Sequence, residues 1–270
     1  MPSESDPMQP VAAPAPLVRT RGRRRTLEFV PGDIQSEMLL ARPDALVLAY
    51  ARAMMCFALF VPRPRHILMA GLGGGSLVKF CYRHFPDARI TVLEISAEVI
   101  ALREQFLVPP DDARLRIVHG DAAAFIAAAP GSFDVILVDG FDAAGMPPAL
   151  GSASFYTDCH AALREGGVLV ANLLSYDPQY AALRARIGAA FDGRVCQLEG
   201  IAGNNHILFA LRASAPATLA TPAARRHARL ARHGGPGLGL LNRLVNRLVN
   251  PLLNPLLARA IVAWLARRAV

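Results

Sequence analysis

The stretch His66-Ile-Leu-Met-Ala-Gly-Leu-Gly-Gly-Gly-Ser76 decides the fold of this chain. A short apolar run ends there in a cluster of glycines, and the residues from Leu77 to Phe85 have the apolar spacing of a helix. A strand, a glycine turn and a helix in this order predict a nucleotide-binding unit, because glycines let the backbone approach a ligand and the helix N-terminus offers free N–H groups. The glycines expected to contact the ligand are Gly71, Gly73, Gly74 and Gly75.

Acidic residues follow the next two strands at positions where such a fold binds a nucleoside. Arg89–Glu94 reads as the second strand, and Glu94 comes 21 residues after Gly73. That spacing is typical of the carboxylate that binds the ribose hydroxyls. The third strand, over residues 115–119, leads into Gly120-Asp121-Ala122. Asp121 is therefore expected to accept a hydrogen bond from the adenine amino group, to cap the following helix, or to do both.

Two carboxylates follow the fourth strand, which covers Phe133 to Val138. Its continuous apolar run is expected for a central parallel strand that is covered on both faces. Ligands of open α/β sheets bind beyond the carboxyl ends of the strands, so Asp139 and Asp142 are expected over the site. Together they could hold a cationic amine while Asp139 takes its proton; the alternative is that Asp139 only caps the loop.

Strands and helices alternate through most of the remaining chain. Helices are expected over residues 155–163 and 180–191, a strand over 168–173, and a closing hairpin over 194–198 and 206–211. This pattern predicts an α/β fold with a doubly wound, mostly parallel Rossmann-like sheet, a closing antiparallel hairpin and flexible tails. Before the glycine turn, a helix is expected from Pro43 to Phe60, with Asp44 as its N-cap.

The charge of the chain is concentrated at its two ends. The net charge of +8 divides into +3 over residues 1–26, −5 over residues 27–211 and +10 over residues 212–270. The central part therefore gives no electrostatic reason to bind nucleic acid. The domains expected are a disordered basic N-terminal arm over 1–26, a nucleoside-binding catalytic domain over 27–212, a linker over 213–236 and a basic amphipathic tail over 237–270.

The tail and the cysteines bear on partners and location. Asparagine recurs every four residues from Asn242 to Asn254, among apolar residues and arginines. The alternatives for this tail are contact with an anionic membrane surface or a partner, disorder, and packing on the domain or on the second subunit of a homodimer.

The four cysteines lack metal-type spacing, so we expect buried thiols in a reducing compartment and no metal site. Since no apolar leader opens the chain, a cytoplasmic protein is expected, with the tail as the one route to a membrane surface.

A series of motifs resembles a known family. Gly-Leu-Gly-Gly-Gly-Ser, Val-Leu-Glu-Ile, Gly-Asp-Ala and Asp-Val-Ile-Leu-Val-Asp-Gly-Phe-Asp occur in this order within residues 33–212. They resemble the spermidine synthase (polyamine aminopropyltransferase) family, a branch of the class I AdoMet-dependent methyltransferase fold. The resemblance implies that Glu94 binds ribose, that Asp121-Ala122 binds adenine, and that Asp139 is the proton acceptor. It also implies the transfer of an aminopropyl group from decarboxylated AdoMet to a small amine. The residues expected on the substrate side are Asp142, Tyr50, Ser76 and Gln35.

Two departures from the family pattern keep other functions open. Ser76 stands where the family usually has an acid that contacts the aminopropyl ammonium, and Arg52 stands where the family has an acid after a tyrosine. A serine there is expected to cap the next helix, and an arginine in the pocket would favour a carboxylate over a polyamine. The alternatives are therefore a methyltransferase that uses AdoMet itself on a small acceptor, and a non-catalytic nucleoside-binding protein.

Overall fold

The structure, a computed structural model, describes residues 15–141 and 145–213 together with residues 260 and 263. For residues 199–202 it describes the backbone alone. The expected linker over 213–236 and the expected tail over 237–270 therefore lie outside the described residues, apart from residues 213, 260 and 263. Residues 1–14 of the expected N-terminal arm also lie outside them.

Three antiparallel strands form a separate small sheet at the start of the described chain. They are β1 (Leu17–Arg21), β2 (Arg24–Glu28) and β3 (Ile34–Leu39), in the order β1-β2-β3. Arg19 lies 3.3 Å from Glu28, and Arg24 pairs with Glu37 across the sheet. The expectation of a disordered arm up to residue 26 is therefore wrong from Leu17 onward, because acids on neighbouring strands balance its arginines.

A mostly parallel sheet of seven strands carries the rest of the described chain. Its strands are β4 (His66–Ala70), β5 (Arg89–Glu94), β6 (Leu115–His119), β7 (Phe133–Val138), β8 (Leu163–Leu174), β9 (Val195–Ala202) and β10 (Asn205–Leu211). They lie in the order β6-β5-β4-β7-β8-β10-β9. The first five are parallel, and β10 and β9 form an antiparallel hairpin at the edge. The expected doubly wound sheet with a closing hairpin is thus confirmed.

Helices cover both faces of this sheet. They are α1 (Ala49–Met54), which continues as a 3-10 helix (Met55–Leu59), α2 (Ser76–His84), α3 (Ala97–Ala101), α4 (Ala122–Ala127), α5 (Pro148–Gly151), α6 (Ala153–Ala162) and α7 (Tyr180–Ala190). Successive residues of β4 point to opposite faces: Ile67 packs with residues of α1 and α2, whereas Leu68 packs with residues of α6 and α7. Within the described ranges, none of these helices is long and apolar enough to cross a membrane.

The first helix begins later than the sequence suggested. It starts at Ala49, and Asp44 does not cap it. The Asp44 carboxylate instead lies 3.3 Å from Nε of Arg83 on α2. The Asp44 side chain therefore forms an ion pair with a neighbouring helix and does not accept a hydrogen bond from a backbone N–H of α1.

Candidate active site

A cavity of about 800 Å³ lies beyond the carboxyl ends of the parallel strands. β4 pairs with β5 on one side and with β7 on the other, so the strand order reverses there. Such a reversal opens a crevice in which α/β sheets bind their ligands. Gly71 after β4, Asp139 after β7 and Asn172 on β8 line this cavity. The fold therefore brings the predicted glycine turn and the predicted base to one place.

Gly71 lets two strand ends meet closely. Its φ angle is 102°, and a Cβ on this residue would lie 2.5 Å from the carbonyl oxygen of Asp139. A side chain at residue 71 would therefore be strained and would also collide with the backbone of Asp139. Of the four predicted glycines, Gly71 and Gly73 are lining residues.

The other two glycines of the turn serve packing in this structure. A Cβ on Gly74 would lie 2.6 Å from Oγ of Ser36, and a Cβ on Gly75 would lie 2.4 Å from Val108. Neither glycine is among the described residues that line the cavity. Because they have no side chain, the turn can pack closely against Ser36 on β3 and Val108 after α3.

Ser76 contributes its hydroxyl to the cavity and does not cap α2. The N-cap is Gly75, which has a left-handed conformation, and Ser76 is the first helical residue. The Ser76 Oγ lies 3.2 Å from Oγ of Ser36 and 3.5 Å from the carbonyl oxygen of Glu37. The expectation of a serine cap is therefore wrong, because the preceding glycine turn already begins the helix.

Glu94 is held rigidly at the end of β5. Its Oε2 accepts a hydrogen bond from the Leu72 amide at 2.9 Å, and its Oε1 accepts one from the Ser96 amide at 2.9 Å. Each carboxylate oxygen can accept more than one hydrogen bond, so both remain able to bind a hydroxyl. Glu94 lines the cavity, as the spacing from the glycine turn predicted.

Asp121 caps α4 and also lines the cavity. Its Oδ1 accepts a hydrogen bond from the Ala123 amide at 2.8 Å. The other oxygen, Oδ2, is left for a ligand. Ala122, the next residue, lines the cavity as well. The capping role and the expected adenine-binding role are therefore compatible.

Asp139 has two polar neighbours at the floor of the cavity. Nδ2 of Asn172 donates a hydrogen bond of 2.9 Å to its Oδ1. The Tyr50 hydroxyl donates a hydrogen bond of 3.4 Å to the carbonyl oxygen of Gln35 and lies near enough to the Asp139 carboxylate to affect its pKa. Burial raises the pKa of Asp139, and the groups of Asn172 and Tyr50 lower the pKa in part, so that it stays above its usual range. Burial and the adjacent Asp139 raise the pKa of Tyr50 well above its ordinary value, so Tyr50 remains a proton donor.

Asn172 is a site residue that the sequence did not single out. Its exposed fraction is 2%, and its Oδ1 has no hydrogen-bond partner among the described residues. The same side chain lines the cavity. The one signal in the sequence is an amide in the apolar part of the strand, over residues 168–174, and only the pairing of β7 with β8 brings it to Asp139.

The lining of the cavity is acidic. Among its described lining residues are five carboxylates and no lysine, arginine or histidine. The carboxylates are Asp33, Glu94, Asp121, Asp139 and Asp177. Such a lining attracts cations and repels anions. Asp33 and Asp177 were not predicted, because they lie in loops without a recognisable motif.

The four substrate-side residues predicted from the sequence divide into two groups. Gln35 and Tyr50 line the cavity together with Ser76, whereas Asp142 lies outside the described residues. Arg52 is not among the described lining residues, and its Nη1 donates a hydrogen bond of 2.8 Å to the carbonyl oxygen of Leu46. The expectation that Arg52 stands in the pocket is therefore wrong, because backbone carbonyls before α1 bind its guanidinium group.

Metal binding has no candidate site in the described ranges. No group of three or more histidine, cysteine, aspartate or glutamate side chains in them is arranged to hold a metal ion.

The fold and the cavity at the reversal of its strand order are those of an α/β protein that binds a ligand beyond the carboxyl ends of its strands. The sequence profile of the spermine/spermidine synthase domain matches residues 47–178. The chain is 39% identical over 204 residues to the polyamine aminopropyltransferase of Chromobacterium violaceum, covering 75% of this chain and 78% of the relative. It is 37% identical over 199 residues to that of Neisseria meningitidis serogroup B, covering 73% and 76%. The chain therefore belongs to the spermine/spermidine synthase family, as its motifs predicted.

A solved structure supports the fold. The crystal structure of a probable spermidine synthase from Corynebacterium glutamicum has a TM-score of 0.64 to this chain. It is 23% identical in sequence and covers 82% of this chain and 85% of its own. The arrangement of strands and helices described above is thus that of the family.

Proposed function

We propose that the protein transfers the aminopropyl group of decarboxylated AdoMet to a small amine, with Asp139 as the base. The observation that carries this proposal is the acidic lining, which has five carboxylates and no cationic side chain among its described residues. Both substrates are cations, since one has a sulfonium and an ammonium group and the other is an amine. AdoMet itself would bring a carboxylate among these acids, which the lining disfavours.

The nucleoside half of the proposed complex follows from the fixed groups around the glycine turn. Glu94 would bind the ribose hydroxyls, and Asp121 with Ala122 would bind the adenine. The backbone at Gly71 and Gly73 gives the ligand room to approach, because neither residue has a side chain. These groups belong to strand ends and helix starts, so little reorganisation is needed on binding.

The proposed reaction begins with a proton transfer. The Asp139 carboxylate accepts a proton from the ammonium group of the acceptor, which leaves a free amine. The nitrogen then attacks the aminopropyl carbon that is attached to sulfur. A C–N bond forms while the C–S bond breaks, and the electron pair of the C–S bond goes to sulfur. Methylthioadenosine leaves as a neutral thioether, and the positive charge moves to the product nitrogen.

The surroundings of Asp139 suit a base in this reaction. Burial raises the pKa of the carboxyl group, which brings it closer to the pKa of its proton donor and makes it a better proton acceptor. The hydrogen bond from Asn172 keeps the carboxylate in one orientation. Most of the rate would come from holding the amine and the sulfonium carbon together, with the base assisting.

Release of methylthioadenosine is the measurement that tests the proposal. The protein is incubated with decarboxylated AdoMet or AdoMet and a set of small amines, and the variant Asp139→Asn is compared with Asp192→Asn. Asp192 is exposed and is not among the described lining residues, so its change gives the same difference in charge outside the site. We expect Asp139→Asn to lose about 100-fold or more of kcat and Asp192→Asn to keep it. An active Asp139→Asn variant would refute the base, and methyl transfer from AdoMet would refute the reaction.

Binding measurements separate the nucleoside site from the chemistry. Calorimetric titrations of methylthioadenosine, decarboxylated AdoMet and AdoMet into the wild type and Asp139→Asn should give binding of the first two to both proteins. Failure of all three ligands to bind would remove both the aminopropyltransferase and the methyltransferase.

A further inference from the structure

We infer that Tyr180 and His206 are positioning residues, whose hydrogen bond holds one wall of the cavity in the shape that binds the acceptor. This inference rests on the proposed function, because it takes an amine to be the acceptor and Asp139 to be its base. Neither Tyr180 nor His206 is among the described residues that line the cavity. Their effect on the reaction would therefore pass through the wall that they support.

The order of the strands divides the cavity into two sides. Glu94 ends β5 and Asp121 follows β6, so the nucleoside would lie over that side of the sheet. Asp139 follows β7, and β8 and β10 lie beyond it. A displacement at carbon needs the nucleophile opposite the leaving sulfur, so the acceptor would lie beyond Asp139, away from the nucleoside. The acceptor side of the cavity is thus the side over β8 and β10.

Two loops form the wall on the acceptor side. One joins β8 to α7 over residues 175–179, and the other joins β9 to β10 over residues 203–204. Their residues that line the cavity are Tyr176, Asp177, Pro178 and Asn204. The Ser175 amide donates a hydrogen bond of 2.8 Å to the carbonyl oxygen of Asn204, so the loops are joined at the wall itself. Tyr176, Pro178 and Asn204 are exposed, so the loops bury little surface of their own.

A cluster of three side chains joins the two loops where they meet α7 and β10. Nδ1 of His206 lies 2.6 Å from the hydroxyl oxygen of Tyr180, the first residue of α7. Nε2 of Gln197 on β9 donates a hydrogen bond of 2.9 Å to that hydroxyl and lies 3.1 Å from Nδ1. Because an amide nitrogen is only a donor, Nδ1 is the acceptor of the cluster, and the Tyr180 hydroxyl donates to it. A hydrogen bond between side chains therefore ties the end of one loop to the end of the other.

The Tyr180 hydroxyl can be removed without removing the contacts of its ring. The rings of Tyr180 and His206 pack edge to face with their centroids 5.2 Å apart, and the guanidinium carbon of Arg184 lies 5.6 Å from the centroid of the Tyr180 ring. Phenylalanine keeps both contacts and lacks the donor. Tyr82→Phe is the matched control, because the Tyr82 hydroxyl donates a hydrogen bond of 2.7 Å to Asp112, and Tyr82 is not among the described lining residues.

Steady-state kinetics test this positioning role. Transfer from decarboxylated AdoMet is measured with diaminobutane and with butylamine as probe amines. We expect Tyr180→Phe to raise the KM for the amine by about 3- to 10-fold, the usual effect of losing one hydrogen bond. Its kcat and its KM for decarboxylated AdoMet should stay unchanged, because the loss is one of acceptor binding. Tyr82→Phe should leave all three constants unchanged.

Variants of His206 test whether the hydrogen bond itself is responsible. His206→Leu removes the acceptor and should raise the KM for the amine as much as Tyr180→Phe does. His206→Asn offers an amide oxygen in place of Nδ1 and should restore part of the affinity for the amine. The double variant Tyr180→Phe/His206→Leu should be no worse than either single variant, because both changes remove the same bond.

The outcomes separate this inference from the proposed function. If the wild type transfers the aminopropyl group to neither amine, the proposed function fails and the positioning role fails with it. If the wild type is active and Tyr180→Phe behaves like Tyr82→Phe, the positioning role alone is overturned. Additive effects in the double variant would also overturn it. So would an equal loss of methylthioadenosine binding in Tyr180→Phe, measured by calorimetry, because the nucleoside lies on the other side of Asp139.

Discussion

Nδ2 of Asn172 lies 2.9 Å from Oδ1 of Asp139, so a residue on β8 holds the carboxylate that follows β7. The two strands are parallel neighbours in the sheet. The proposed base and the amide that binds it therefore come from adjacent strands, and the pKa of Asp139 depends on a contact between parts of the chain that are distant in sequence.

Removal of the Asn172 amide should move the pH dependence of the reaction. The hydrogen bond from Asn172 lowers the pKa of Asp139, so Asn172→Ala should raise that pKa further above its usual range. A base works when ionised, so activity falls as pH drops through its pKa. The acid limb of the profile of kcat/KM against pH should therefore move to higher pH. A limb that stays in place or moves to lower pH would show that Asn172 does not tune Asp139.

Tyr50→Phe should shift the same limb in the same direction. The Tyr50 hydroxyl also lowers the pKa of Asp139, and phenylalanine keeps the ring without the donor. The measurement is again kcat/KM against pH, with methylthioadenosine binding as the check on folding. A loss of activity at all pH values with an unmoved limb would assign Tyr50 to substrate binding only.

Asp139→Asn should stabilise the protein while it abolishes transfer. The pKa of Asp139 is raised in the folded state, so the unfolded state loses this proton more readily. The favourable contribution of the protonated group is present below the ordinary pKa of aspartate, about 3.9, and is lost as pH rises through the raised value. The Tm of Asp139→Asn should therefore exceed that of the wild type at neutral pH, and the difference should shrink toward acidic pH. An equal or lower Tm at neutral pH would contradict the desolvation of Asp139.

Gly71→Ala should destabilise the fold and weaken methylthioadenosine binding. Its φ of 102° strains any other residue, and its Cβ would lie 2.5 Å from the Asp139 carbonyl oxygen. We expect a loss of at least about 2 kcal/mol in the free energy of unfolding. Gly188→Ala on α7 is the matched control, because nothing lies within 4 Å of its Cβ. That helical position should gain about 0.5–1 kcal/mol. Equal effects of the two changes in denaturant unfolding would refute the close approach.

The contribution of Lys79 to stability should rise with pH in the alkaline range. It is the only lysine of the chain, and its Nζ donates hydrogen bonds to the carbonyl oxygens of Gly74 at 3.1 Å and Phe106 at 2.6 Å. Burial lowers its pKa from 10.5 to about 8. The unfolded chain therefore binds more protons at Lys79 between these two values, and the contribution of Lys79 to the free energy of unfolding should rise across that window by at most about 3 kcal/mol.

Lys79→Met isolates this contribution. Urea unfolding of the wild type and the variant from neutral to alkaline pH gives the difference in free energy at each pH. That difference should shift in favour of the wild type as pH rises. A difference that stays constant would mean that the ammonium group of Lys79 is not desolvated.

The sequence was sufficient for those parts of the site that depend on local pattern. The glycine turn, Glu94 at its fixed spacing and Asp121 at a helix start are set within single strand-to-helix units. Asn172 and Asp177 could not be found in this way, because they belong to the site only through the pairing of β7 with β8 and the turn that follows.

Two predictions about arginine residues were wrong for the same reason. The arginines before residue 26 suggested a solvated arm, yet Glu28 and Glu37 face them across the small sheet. Arg52 suggested an anion site, yet its guanidinium group binds the carbonyl oxygens of Leu46 and Val47. In the first case the arginines pair with carboxylates on neighbouring strands, and in the second the arginine binds backbone carbonyl oxygens. A sequence motif specifies neither kind of partner.

The close approach of Gly71 to Asp139 also bears on how the protein folds. β4 pairs with β7, and α2, β5, α3, β6 and α4 lie between them along the chain. A pairing that closes so long a loop is slow to form, because the loss of chain entropy precedes the gain in contacts. A nascent chain that ends before β7 has the glycine turn but neither Asp139 nor the floor of the cavity. A nucleoside should therefore bind and stabilise the completed sheet and give no help to its earlier intermediates.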